Sequence, residues 1–342
     1  MSVQTDLQLA AGPGHLDEAL LRAWHEARTA TQEHDVPGLP RDTWPDVLAD
    51  ARVGDATQRE EVWALRKDGA VVGGCRLSLP LAENTDLGEV DLYVVPSARG
   101  EGLGRALLDH AADRLRAAGR ARLVLWGHLE PVDTDGPGST FARAVGARRV
   151  SEDVLRTLDL TPQNRARWAA LRAEAEAAAS AYEVVTWEGP APDHLVEGVL
   201  ALKEQISTDA PTDDLAWAGE SWDVERLRVL EAEAAAKGRR RLVAAARHRG
   251  DGHLAALTDL LVPAAGPEEA HQWDTVVLRA DRGHRLGLLV KLANLGQLLR
   301  RCPRTRRVST WNSASNAPMV AVNDRLGFAA AARSPVWELG LG

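Results

Sequence analysis

The chain reads as an α+β fold built twice over, on three observations. A glycine-rich run, Arg99-Gly100-Glu101-Gly102-Leu103-Gly104, follows an apolar strand and opens an amphipathic helix. A similar run, Arg282-Gly283-His284-Arg285-Leu286-Gly287, recurs 183 residues later. The strands and helices predicted around the two runs also fall in the same order. A strand that enters a glycine-rich turn at a helix start gathers backbone N–H groups at the positive end of the helix dipole. Small residues there let a phosphate approach the backbone. Two such turns at a fixed offset predict a duplicated nucleotide-binding domain.

In the first half a short strand is expected from Gln4 to Ala10 and a helix from His15 to Ala30, after which Pro37, Pro40 and Pro45 break up the chain. Glu61 to Pro80 predicts a hairpin turning at Asp68-Gly69. Val90 to Val95 is the strand that enters the first glycine turn. Leu103, Leu107, Leu108, Ala111 and Leu115 then share one helical face, and Gly119 is placed to end that helix. Ala121 to Trp126 and Leu155 to Leu160 are the remaining strands. Thr161-Pro162 starts an alanine-rich helix. The second half predicts a strand at Tyr182 to Trp187 and helices at His194 to Ile206 and Asp223 to Lys237. A strand pair follows around Gly250-Asp251-Gly252, then a strand from Trp273 to Leu278 into the second turn. A leucine-striped helix, a strand at Val308 to Trp311, a helix ending at Leu326-Gly327-Phe328 and a strand at Val336 to Leu339 complete the order. The expected division is 1–160 as one domain, 161–181 as a helical linker and 182–342 as the second domain.

Composition agrees with two soluble domains. A chain of 342 residues carries a prior of about two domains. With 45% hydrophobic and 26% charged residues it can fill sizeable cores. The net charge of −8 speaks against broad nucleic-acid binding. The basic runs Lys237 to Arg241 and Arg300 to Arg307 read as solvated faces. Cys75 and Cys302 lie in different halves and provide no disulfide framework, and the ten histidines show no His-x-x-x-His pair, so no metal is expected. Met1 to Gly14 lacks the pattern of a signal peptide, and no uncharged apolar stretch nears about 18 residues, so a cytoplasmic protein without a membrane span is expected. An ATP P-loop is excluded by the missing Gly-Lys-Ser/Thr, and neither run has the dinucleotide pattern Gly-x-Gly-x-x-Gly.

At the two turns the chain resembles the GNAT superfamily of acyl-CoA-dependent N-acyltransferases, whose loop reads Arg/Gln-x-x-Gly-x-Gly/Ala. Arg99, Gly102 and Gly104 match in full; in the second loop Arg282 and Gly287 match, with Arg285 where the first family glycine belongs. Trp311 to Met319, continuing to Asn323-Asp324-Arg325-Leu326-Gly327-Phe328, is similar to the segment that packs along the pantetheine arm. The resemblance is strongest to tandem acetyltransferases of actinobacterial type and looser to mycothiol synthase. It implies two tandem domains, each with a mixed, mostly antiparallel central sheet flanked by helices, and acetyl-CoA as co-substrate. It assigns acetyl-CoA to Val94, Val95, Arg99, Gly100, Gly102, Leu103, Gly104 and Arg105 in the first half. In the second half it assigns Val277, Leu278, Arg282, Gly283, His284, Arg285, Leu286, Gly287 and Asn316.

The implied reaction is direct attack of an amine on the thioester. An alkylammonium has a pKa of about 10.4, so a base must take a proton, and the thioester oxygen needs a placed donor. The resemblance puts that donor on the backbone at Val94-Val95 and Val277-Leu278. Bases are expected earlier on the same strands, at Glu89 and Asp91 in the first half and His271 and Asp274 in the second, with Asp274 and Glu89 preferred. The family's late tyrosine acid is replaced by Ala142 and Asn323. Asp209 and Asp213, in the loop Ser207 to Asp214, are candidates to hold a cationic amine, with Trp222, Trp273 and Trp311 as candidate pocket walls. The expected function is therefore acetyl transfer to a small-molecule primary amine, with the second domain as the working one, in a monomer or homodimer. The alternatives are a non-catalytic acyl-CoA sensor and an acetyltransferase acting on a protein lysine or N-terminus.

Overall fold

The computed structural model describes residues 5–209 and 211–342; Gln4 of the first expected strand and Ala210 of the acidic loop lie outside them. In the first unit, β1 (Thr5–Gly12), β2 (His15–Leu16), α1 (Glu18–Asp35) and α2 (Trp44–Val53) lead into the hairpin of β3 (Gln58–Lys67) and β4 (Ala70–Pro80). Next come β5 (Leu87–Val94), α3 (Leu103–Ala117), β6 (Arg122–Leu125), α4 (Pro137–Ala144) and β7 (Arg148–Asp159). The sequence predicts no helix at α2, since Pro45 reads as a breaker. Proline instead stands in the first turn, behind a Thr43–Asp46 capping box, where its missing N–H costs nothing. Pro137 likewise stands in the first turn of α4, behind Gly136 as N-cap.

The second unit holds α5 (Pro162–Ala178), β8 (Tyr182–Glu188), α6 (Val196–Asp209), α7 (Val224–Ala236), β9 (Arg240–His248) and β10 (Leu254–Val262). It continues with β11 (Glu269–Val277), α8 (Leu286–Arg301), β12 (Arg307–Ser313) and α9 (Ala317–Leu326), after which the chain ends in β13 (Ala329–Gly340).

The units do not follow the contiguous division expected from the sequence. One comprises residues up to Val154 together with Thr212–Trp217 and Ala331–Gly342; the other comprises Leu155–Pro211 and Ala218–Ala330. The last strand of the chain thus completes the first unit, where Trp337 to Gly340 pair antiparallel with Leu125 to Arg122. Trp337 and Leu341 are buried there with Leu107, Leu123 and Leu125. Helix α5, expected as a linker, is a core element of the second unit. Trp168, Ala175 and Ala179 form a helical stripe buried against α8, and the Trp168 indole donates to the Leu326 carbonyl at 3.0 Å.

Each unit's sheet is mixed and mostly antiparallel, and includes a parallel pair. In the first unit β5 runs parallel to β6 only from Leu87↔Arg122 to Val90↔Leu125, with Trp126 N–H donating to Val90 O at 3.0 Å as the last link. In the second, β11 and β12 pair from Glu269↔Arg307 to Gln272↔Thr310. Beyond these points each pair parts. Helix α3 lies against the sheet on its predicted apolar face, and Gly88 permits this approach, since a Cβ there would stand 2.2 Å from Leu115.

Trp337→Ala should destabilise the first unit by about 3–5 kcal/mol, the cost of emptying a large buried aromatic site. Hydrogen exchange should then accelerate in β5 and β6 while β10 and α8 keep their protection; acceleration in the second unit instead would contradict the strand assignment.

Candidate active site

The two glycine turns have the same backbone. In each, a short 3-10 turn (Pro96–Ala98 and Arg279–Asp281) is followed by an extended arginine, Arg99 or Arg282. Gly100 and Gly283 have φ of +80° and +89°. Gly102 and Arg285 are both left-handed and begin α3 and α8. Arg285 therefore keeps the loop's shape despite its side chain, which pairs with Glu174. Around Gly100 and Gly102 a Cβ would meet nothing within 4 Å, so the backbone is bare to an incoming anion.

Of the backbone donors expected before each loop, half are already spent. Val95 N–H donates to Val72 O and Leu278 N–H to Ala255 O, both at 2.9 Å within the sheet. Because amides alternate sides along a strand, Val94 and Val277 direct theirs across the parting strands.

In the first unit this parting opens into a cavity of about 480 Å³ between α3 and α4. Val90, Leu92, Val94, Leu125, Phe141 and Trp337 give it apolar walls, and Arg99 to Arg105, Glu101 excepted, form one end. Phe141 packs over Gly104, where an added Cβ would stand 3.2 Å from its ring. Arg99 is anchored by donating to Val94 O at 3.1 Å and to both oxygens of Asp35 at 2.9 and 2.6 Å.

Two titratable side chains of the cavity wall, Glu130 and His128, carry no sequence pattern that marks them. Glu130 is fully buried; it accepts from Ser139 N–H at 2.6 Å and Ser139 Oγ at 2.7 Å, fixing the start of α4, and pairs with Arg333 at 3.1 Å. Among the described residues His128 Nε2 has no hydrogen-bond partner. Burial pushes its pKa below the usual imidazole value, partly offset by Asp91 and Glu130. Its ring lines both the large cavity and a small one shared with Arg28, Asp35 and Asp91. Both residues follow β6, at the carboxyl ends of a parallel pair, where ligands of α/β sheets gather. That position was the available signal.

Glu89 and Asp91 share the sheet face opposite Val90, Leu92 and Val94, as their two-residue spacing requires. Asp91 is held by Arg28 at 2.6 Å. Burial, reinforced by Glu60, pushes the Glu89 carboxyl up to about 7.

Corresponding charges in the second unit are paired internally. Asp274 forms an ion pair with Lys203, whose ammonium lies 5.0 Å over the Trp222 ring. This preferred base is thus committed, and it stands with Trp273 at a bulge where β10 meets β11. Asp209 holds Arg279 (Nε at 2.8 Å) and Arg282 rather than standing open to an amine. Asp213 belongs to the first unit and accepts from Ser151 Oγ at 2.6 Å, so each of the two expected acceptor carboxylates is engaged within its own unit. His271 bonds Ser309 at 2.9 Å. Asn316 caps α9 by accepting from Met319 N–H at 3.2 Å, and the His284 ring lies 5.5 Å from that of Tyr182. Trp273 and Trp311 are 61% and 47% exposed. Asn323, at the family tyrosine position, accepts from Lys291 Nζ at 2.8 Å and donates to Asn312 at 3.3 Å. Burial lowers the Lys291 ammonium to about 7. Ala142, its first-unit counterpart, lines the cavity.

Residues 21–133, which span α1 to β6, the first loop and both His128 and Glu130, match the acetyltransferase (GNAT) family. The chain carries a GNAT acetyltransferase domain. Over its whole length it is similar to a tandem GNAT protein from the clavulanic acid biosynthesis pathway, at 29% identity and a TM-score of 0.79, covering 99% of each chain. A GCN5-related N-acetyltransferase from Sphaerobacter thermophilus shares the fold at 16% identity and a TM-score of 0.68, with 98% of this chain and 96% of that one covered. No curated protein matches in sequence. The tandem GNAT fold is thus shown along the chain, and acyl transfer is the class of chemistry performed by the family that residues 21–133 match. GNAT proteins take acetyl-CoA as co-substrate, and the bare loop and apolar cavity of the first unit suit its phosphates and pantetheine arm.

Proposed function

We propose that the chain is an acyl-CoA-dependent N-acetyltransferase whose first unit, rather than the second, binds acetyl-CoA and transfers its acetyl group to a small primary amine. The observation that carries this reading is the cavity leading from the Arg99–Gly104 loop into the parting of β5 and β6. The second unit has the same loop backbone, but its loop arginine, its strand carboxylate and its α8 lysine are each bound to another residue of that unit.

In this reading the amides that open α3 receive the diphosphate, and Val94 N–H donates to the thioester oxygen as charge gathers there. Acetyl-CoA supplies the activated acyl group. Glu89, with Glu60 beside it, draws the acceptor's ammonium to the opposite sheet face. His128, neutral at pH 7 and unpartnered at Nε2, takes the amine proton.

Calorimetric titration with acetyl-CoA, joined to release of free CoA in the presence of a panel of primary amines, tests the assignment. Gly104→Trp should abolish binding and turnover, while Gly287→Trp should leave both unchanged, with melting curves verifying that each variant is folded. The reverse pattern would move the site to the second unit, and binding without turnover of any amine or peptide would leave an acyl-CoA sensor.

His128→Gln should lower kcat about a hundredfold or more with little change in acetyl-CoA affinity. Because burial lowers the folded pKa of His128, the acid limb of kcat/KM should lie below 6.5, with activity lost as pH falls through it. A limb near 7 that disappears in Glu89→Gln would transfer the proton to Glu89.

A further inference from the structure

We infer that the β9–β10 hairpin carries a divalent transition-metal site, made by His248, Asp251 and His253 and braced by Asp281, which takes an ion of the zinc, cobalt or nickel class. His248 and His253 close the hairpin: His248 N–H donates to His253 O at 2.9 Å, which sets their side chains beside each other, with ring centroids 5.1 Å apart. The turn between them carries Asp251, and both imidazoles direct Nδ1 at its Oδ1, at 2.9 and 2.6 Å. The three potential ligand atoms lie within 4.8 Å of one another. A tetrahedral ion with bonds of about 2.0–2.2 Å needs its ligands only slightly further apart than these contacts. Two imidazoles and one carboxylate leave a fourth position for water, a set that favours borderline ions over calcium or magnesium.

A second shell is already in place. His253 Nε2 faces Asp281 at 3.1 Å, the carboxylate–imidazole arrangement that orients a metal-bound histidine through its far nitrogen. Asp281 is itself held by the Tyr182 hydroxyl at 2.7 Å. Two glycines permit the geometry: Gly252 is left-handed, and a Cβ on Gly250 would stand 3.0 Å from the His248 ring. A helical His-x-x-x-His pattern does not reveal this site, because His-x-x-Asp-x-His is a hairpin spacing. Asp281 also ends the 3-10 turn immediately before Arg282, so a bound ion would tie the hairpin to the second glycine loop.

The test uses the full chain with any affinity tag removed and its metals stripped by chelator. Titration with Zn²⁺ by calorimetry and with Co²⁺ by visible absorption should show one saturable site that is lost in His253→Ala. His248→Asn should bind more weakly, and Asp281→Asn should lose about tenfold or more in affinity while the direct ligands remain. Circular dichroism checks that each variant is folded. No saturable uptake by the stripped protein, or equal uptake by the His253 and His248 variants, would overturn the proposal. Neither result depends on where acetyl-CoA binds.

Discussion

The parallel pairing of β5 with β6 holds over only four residues, and the first unit's site depends on where it stops. A strand inside a sheet spends its amides and carbonyls alternately on its two neighbours, so a neighbour that departs leaves one row unspent. Beyond Val90 that row faces the opening, with Val94 N–H among its donors. The same parting makes room for the cavity and brings the residues after β6, His128 and Glu130, to its wall. Left-handed Gly100 and Gly102 then turn the chain into α3 with its first amides facing the same space.

The two units keep one backbone plan and differ in how they use charge. Arg285 occupies a left-handed position that glycine fills in the first loop, at a cost on the order of 1–2 kcal/mol. The loop geometry survives because the flanking 3-10 turn and α8 hold it. Around it Arg279 and Arg282 are drawn to Asp209, Asp274 to Lys203, and Lys291 to Asn323. In the first unit Arg99 is also paired, to Asp35, but this bond fixes the loop beside an open cavity. Sequence likeness to the pantetheine segment, strongest at Asn316 to Phe328, thus coexists with side chains that join α8 to α9 through hydrogen bonds.

Local patterns made most of the fold legible. The apolar stripe of α3, the Asp68-Gly69 hairpin and both glycine turns follow from short-range chemistry, and each stands within a few residues of its expected place. Non-local choices were not legible. Nothing near Trp337 says that its strand completes the first unit, because a strand's own pattern sets which faces are buried but not which neighbour it joins. The site was legible at its backbone, in Arg99, Gly102 and Gly104, whose roles are fixed by sequence spacing. Its side-chain chemistry was not, since Asp274 and Asp209 owe their pairing to Lys203 and to two arginines distant in sequence or across a loop. His128 owes its place in the cavity wall to Gly138, where a Cβ would stand 2.2 Å from its ring.

Hydrogen–deuterium exchange of the intact chain with and without saturating acetyl-CoA locates the bound co-substrate without any variant or acceptor. The account predicts slowed exchange in the segments 94–105 and 137–144, with the segments 277–287 and 316–326 unchanged. Protection confined to the latter two would contradict the assignment of acetyl-CoA to the first unit.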